Sequence, residues 1–345
     1  MDRSSETSPP SIATPFTELM NVKFPIIGAP MFLVSNVDMV VAISDVGGLG
    51  TFPALNYRPI EAYRDALKEM KAKTKRPIGV NVIVNRSNTR QADDLKYALD
   101  SGVELFITSL GSPAGVIKAA HANGAKVFCD VVNLEHAKKV ADLGADGLIA
   151  VGAGAGGHAG PLSPLVLVPW LVREVKLPVM LAGGVAHGSQ LAAALALGAA
   201  GVHVGTRFIA SREAKIDQAY KQAVIDSSPE DIVMTTRVSG TPAAVIKTPY
   251  IEKLGTELPL ALKILYDNPR TRKYAGMLIH YLGMKSPPPS CNRIFGAASF
   301  MSVFLIGAES AKKACSSSSV ASTPKSPKAR NPWRRMSASM SSALT

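Results

Sequence analysis

The run Gly144-Ala145-Asp146-Gly147-Leu148-Ile149-Ala150-Val151-Gly152 decides the architecture. It reads as a helix stop, a tight link, and a short apolar strand that ends on glycine. Glycine supplies the left-handed backbone that terminates a helix. The same phrase recurs at Ser101-Gly102-Val103-Glu104 and at Gly198-Ala199-Ala200-Gly201, each before another apolar run. Working outward gives eight strand-like runs: Pro25–Met31, Gly48–Pro53, Ile78–Val84, Leu105–Gly111, Lys126–Val132, Gly147–Gly152, Val179–Val185 and Gly201–Phe208. Most are rich in Val, Ile and Leu rather than alternating, as expected of parallel strands buried on both faces.

Helical segments are predicted between them, at Pro59–Lys71, Arg90–Asp100, Ser112–Ala122, Leu134–Leu143, Gln190–Leu197 and Ile209–Asp226. Strand–helix alternation argues for right-handed βα units. A doubly wound open sheet gives a similar signal, but recurrence at this spacing favours a (β/α)8 TIM barrel. The 345 residues exceed the roughly 250 such a barrel typically needs. The expected organisation is a flexible segment over 1–20 and a barrel over 21–226. A lid or side region with short helical pieces follows over 227–310, and a Ser-rich basic, disordered tail over 311–345.

Composition agrees and excludes other classes. Hydrophobic residues make up 47% of the chain and charged residues 19%. Of the net charge of +12, seven units lie on Lys312, Lys313, Lys325, Lys328, Arg330, Arg334 and Arg335, leaving +5 for the rest. Basic character is therefore a property of the tail, and no nucleic-acid partner is expected. Cys129, Cys291 and Cys315 are far apart and odd in number, which fits a reducing, cytoplasmic setting and no disulfide framework. The polar start of the chain has no signal-peptide core. The apolar stretch Ile294–Ala308 has 15 residues, short of the roughly 20 that span a bilayer, so no membrane span is expected.

In a barrel, function sits at the C-terminal ends of the strands. The seventh run ends in Ala182-Gly183-Gly184 and the eighth in Val204-Gly205-Thr206-Arg207-Phe208. Glycines there let backbone N–H groups approach a phosphate, and these two loops are the usual phosphate site of the architecture. The first run ends in Gly28-Ala29-Pro30-Met31, where small residues and a fixed proline leave room for a flat ring. Asn81 interrupts the apolar third run, and its amide needs partners, either a cofactor edge or the barrel itself. After the sixth run comes Gly152-Ala153-Gly154-Ala155-Gly156-Gly157-His158-Ala159-Gly160, whose one functional side chain is His158. An imidazole at a barrel mouth can exchange protons near neutral pH. His121, His136, His187, His203 and His280 have no ligand spacing backed by carboxylates, so no metal site is expected.

These pieces, in this order over Phe24 to Asp231, resemble the nitronate monooxygenase (2-nitropropane dioxygenase-like) family of FMN-dependent barrel enzymes. The resemblance implies that Ala29, Pro30 and Met31 line the flavin ring and that Asn81 bonds near it. It implies that Gly156 and Gly157 face the cofactor, and that Ala182, Gly183, Gly184, Val204, Gly205 and Thr206 hold the FMN phosphate. His158 matches the catalytic histidine that takes a proton from the carbon beside a nitro group. The implied partners are a nitronate or nitroalkane and O2. The chain departs from the family pattern at Asp130, where relatives carry lysine beside the cofactor, at Val151, where they carry an acid, and at Phe295–Ser299. An alternative on the same scaffold is NAD(P)H-dependent reduction of a quinone or enoyl thioester. A further one is a non-catalytic barrel that keeps only a phosphate ligand.

Overall fold

A computed structural model describes residues 12–84, 88–238, 240–268, 270–271, 274–276 and 278–279. The eight barrel strands and the additional ones are β1 (Ile26–Gly28), β2 (Leu49–Pro53), β3 (Ile78–Ile83), β4 (Leu105–Ser109), β5 (Lys126–Val131), β6 (Gly147–Val151), β7 (Gly157–His158), β8 (Val179–Ala182), β9 (Gly201–Val204), β10 (Ile232–Thr235) and β11 (Ala243–Ile246). Strands β1-β2-β3-β4-β5-β6-β8-β9 close into a barrel, with β9 pairing back to β1 in parallel. Every strand expected from the sequence is present, and the open-sheet alternative is excluded by that closure.

The first helices are α1 (Pro15–Met20), α2 (Val37–Asp45), α3 (Ile60–Lys73), α4 (Gln91–Asp100), α5 (Ala114–Ala122) and α6 (Leu134–Asp142). They are followed by α7 (Pro164–Glu174), α8 (Gly188–Ala196), α9 (Thr206–Ile209), α10 (Gln218–Asp226), α11 (Pro249–Leu254) and α12 (Leu260–Asp267). Helices α2 and α7 lie outside the predicted set. The apolar run of α2 and the internal Pro169 of α7 do not show a clean amphipathic period. The predicted helix over 209–226 is two helices. The chain already turns helical at Thr206, inside the expected eighth strand, and α10 starts only where Asp217 accepts the Ala219 N–H. Buried Lys221 fastens the link between them by donating to the Ser211 carbonyl at 2.7 Å.

Residues 15–20, expected to be flexible, instead form α1. Thr14 and Thr17 cap it reciprocally, and the Thr14 hydroxyl donates to the Ala200 carbonyl at 2.8 Å. Phe16 and Met20 plug the lower end of the barrel, where they pack with Ile27, Leu49, Leu105, Ile107, Phe128, Ile149 and Met180. The rings of Phe16 and Phe128 meet edge to face at 5.8 Å. The sequence signal was short and surrounded by Ser and Pro, so its burial came only from tertiary packing. Phe16→Ala should lower unfolding free energy by about 3–5 kcal/mol, since it empties a fully buried site. Urea denaturation monitored by circular dichroism checks this; a loss below 1 kcal/mol would show that α1 is not part of the core.

Side chains alternate across each strand. Val80, Val82, Val127, Cys129, Val131, Val202 and Val204 face the helices. Asn81, Ser109, Asp130, Val151 and His203 therefore face the interior at its C-terminal end, above the apolar plug.

Candidate functional site

Four loops converge over that end. A Cβ built on Gly183 would stand 2.7 Å from the Ala155 backbone nitrogen, so the β8 turn and the β6 loop touch backbone to backbone. One built on Gly156 would stand 2.7 Å from Thr206 Oγ1, which brings the β6 loop to the start of α9. One built on Gly205 would stand 3.3 Å from Ala29 Cβ and 3.5 Å from Met31 Sδ, which adds the β1 loop. Gly183 and Gly184 have φ of +115° and +72°, so two successive residues lie in the region that only glycine enters freely. Successive N–H groups in such a turn can form an anion-binding concavity.

The loops are braced by side chains that sequence reasoning did not single out. Gln190 accepts from the Ala186 and His187 N–H groups at 2.7 and 2.9 Å and donates to the Gly184 carbonyl. Its place in a reciprocal cap with His187 was the available signal. Ser35 accepts from the Met31 N–H at 2.9 Å and donates to the Ala29 carbonyl at 3.0 Å. Asn56 donates to the Met31 and Ser35 carbonyls. Strand β1 consequently stops at Gly28 rather than running to Met31, and Ala29-Pro30-Met31 is a fixed loop.

Three of the expected site residues have definite surroundings. The Val204 side chain packs outward among Leu167, Leu171 and Val202, and its carbonyl accepts the Ala29 N–H, so its side chain does not face the site. The Ala182 carbonyl is likewise used, by the Gly152 N–H at 3.1 Å, while its methyl lines the interior. His158 was expected on a glycine loop; it stands in β7, half-buried, paired with Ala243 of the β10–β11 hairpin. The hairpin thereby fixes the height of His158 above the barrel, a long-range pairing with no local signature.

On the opposite wall a polar row crosses three strands. The Asn81 amide nitrogen donates to the Ile107 carbonyl at 3.3 Å and to Ser109 Oγ at 2.9 Å. Ser109 in turn donates to Asp130 Oδ2 at 2.6 Å. The structural partner expected as one option for Asn81 is thus present. Burial pushes the Asp130 carboxyl up to about 6, only partly offset by the Ser109 hydroxyl. Burial also lowers His203 to about 4, and among the described residues its buried Nε2 has no partner. His203 is therefore neutral at physiological pH. Among the described residues no group of three or more His, Cys, Asp or Glu side chains could hold a metal ion. Among them, too, no helix is long and apolar enough to cross a membrane. Cys291, Cys315, His280, Ile294–Ala308, Phe295–Ser299 and the tail lie outside the described residues.

A glycine turn beside a barrel mouth lined by polar side chains fits a cofactor with a phosphate arm. Glycine on the cradle side leaves backbone N–H as the donor type available there; among the described residues His203 Nε2 has no partner, and it and the Asn81–Ser109–Asp130 row supply polar atoms below.

The family model for nitronate monooxygenase matches residues 13–278. A Mycobacterium tuberculosis protein named (3aS,4S,5R,7aS)-5-hydroxy-7a-methyl-1-oxo-octahydro-1H-indene-4-carboxyl-CoA dehydrogenase is 33% identical over 246 residues, covering 70% of this chain and 68% of that protein. A probable nitronate monooxygenase of Staphylococcus saprophyticus is 30% identical over 288 residues, covering 70% and 81%. Among solved structures, FabK from Thermotoga maritima superposes with a TM-score of 0.69 at 29% identity, over 89% of this chain and 98% of that one.

Proposed function

The chain belongs to the nitronate monooxygenase family and is an oxidoreductase, and from that premise we propose that it oxidises alkyl nitronates or nitroalkanes to carbonyl compounds and nitrite, using O2 and bound FMN. The observation that carries this reading is the convergence of the β1, β6, β8 and β9 loops on one cradle, with His158 held beside it by β11.

In this reading Gly183, Gly184, Gly205 and Thr206 bind the phosphate through backbone N–H groups and the threonine hydroxyl. Ala29, Pro30 and Met31 form the fixed wall against the ring, and Gly156 and Gly157 allow its close approach. Asn81 and Asp130 line the interior beneath. FMN supplies electron-accepting chemistry that no side chain has. His158 takes the proton from the carbon beside the nitro group and leaves the nitronate anion. The braced loops and the apolar plug keep that step away from bulk water, which strengthens every electrostatic contact inside.

The test is an anaerobic visible-absorption titration of the purified protein with an alkyl nitronate, before any NAD(P)H is added. Bleaching of the flavin bands is the expected result. Bands unmoved by nitronate but bleached by NADPH would overturn it in favour of reduction of a quinone or enoyl thioester. Absence of flavin bands after reconstitution with FMN would leave a barrel with another ligand.

A further inference from the structure

Among the described residues, Asp130 in the interior wall has one hydrogen-bond donor and no opposing charge. The direction of the polar row can be read from its far end. The Ile107 carbonyl can only accept, so the Asn81 amide nitrogen must face it. That nitrogen then donates to Ser109 Oγ, and the Ser109 proton goes to Asp130 Oδ2. Oδ2 accepts in that arrangement, which leaves Oδ1 to carry a proton when the carboxyl is neutral. Strand parity turns the Asp130 side chain toward the interior, since Cys129 and Val131 face the helices.

Among the described residues, the groups around it add no positive charge. Ile107 and Ser109 on β4, and Ile149 and Val151 on β6, are uncharged. Cys129 faces the helices behind, and its thiol is pushed up to about 11 by burial. His203 on β9 is neutral, and His158 belongs to the loop above. Burial and the Ser109 hydroxyl are the influences on the carboxyl itself. Docking of a flat ring over the interior removes further water from Oδ1, and desolvation disfavours the charged form.

Resting on the FMN reading above, we propose that Asp130 is a proton-donating group of the site, neutral when the cofactor is bound, whose Oδ1–H faces the ligand. The cavity then meets its ligand with a donor instead of a negative charge. Binding takes up one proton at Asp130 whenever the free protein holds it as carboxylate. Carbonyl and oxyanion acceptors are favoured beneath the cradle, and a cation is not.

The sign follows from linkage. The free protein's carboxyl titrates near 6. A ligand that selects the acid form binds with full strength below that pH and weakens about tenfold per unit above it, until the complex itself titrates. FMN affinity is measured by flavin fluorescence from pH 5 to 8, for the wild type and for Asp130→Asn. The FMN phosphate titrates in both proteins alike, so the difference between the two curves reads Asp130 alone. The expected result is a dissociation constant that rises about tenfold more steeply per pH unit above 6 in the wild type than in Asp130→Asn. Calorimetry of FMN binding to the wild type, in two buffers of different ionisation enthalpy, should show proton uptake near pH 7 that Ser109→Ala alters in onset.

Curves that coincide, or a wild-type affinity that strengthens with pH relative to the variant, would overturn the proposal while leaving the FMN reading intact. Flavin binding by neither protein at any pH would overturn both. If Asp130→Asn fails to fold, the calorimetric uptake decides alone: none, or release, is the contrary outcome.

Discussion

His158→Ala lowers kcat/KM for neutral nitroalkanes by about 10²–10⁴-fold, the usual worth of a positioned general base. Preformed nitronate anions lose far less, because they carry no proton for the base to remove. The asymmetry between two forms of one substrate is what assigns the role. Loss of packing or of cofactor would lower both equally. The side chain stands on a two-residue strand whose backbone is paired to Ala243 and Ala244. Truncation at Cβ leaves that backbone pairing intact. Steady-state oxygen consumption with nitroethane and with its nitronate, at one pH, gives the ratio. Equal loss on both would remove the base role, and no loss on either would remove His158 from the mechanism.

Legibility of this fold from sequence followed the range of the interactions involved. The barrel strands could be read because a parallel sheet covered on both faces needs near-continuous Val, Ile and Leu, and because glycine follows several of the preceding helices, at Gly102, Gly124, Gly144 and Gly198. Strand ends were less legible. Gly28 and Val204 are the last paired residues of β1 and β9, and what stops them is a brace from Ser35 and Asn56 in one case and the onset of α9 in the other. The burial of Phe16 was illegible for a similar reason: the ring it meets edge to face, Phe128, lies over a hundred residues away.

At the candidate site, the glycine turns were visible because backbone conformation is written locally. Ser109 could have been found from strand parity, since it shares a face with Leu105 and Ile107. The hairpin that holds His158 carries no local cue, because its partner sequence, Ala243-Ala244, is ordinary. The same parity argument separates Val204, which faces the helices, from His203, which faces the interior.

Gly183→Ala should weaken FMN binding by about 10²-fold while changing riboflavin binding much less. At φ of +115° an L side chain is strained, and its Cβ would meet the Ala155 nitrogen at 2.7 Å, a backbone atom that cannot swing away. The turn must therefore open, which displaces the backbone N–H groups that the proposed reading assigns to the phosphate. Loss of one or two hydrogen bonds to a charged group, about 1.5–3 kcal/mol each, corresponds to that factor. Gly184→Ala is the matched control. Its φ of +72° carries backbone strain of about 1 kcal/mol or a little more, but no atom lies within 4 Å of the added methyl. A modest effect there separates strain from displacement. Fluorescence titration with both flavins distinguishes the phosphate from the ring, since riboflavin has no phosphate to lose. Equal loss of FMN and riboflavin would move Gly183 from the phosphate to the ring or to the general shape of the mouth. Unchanged FMN affinity would take the phosphate away from the β8 turn altogether.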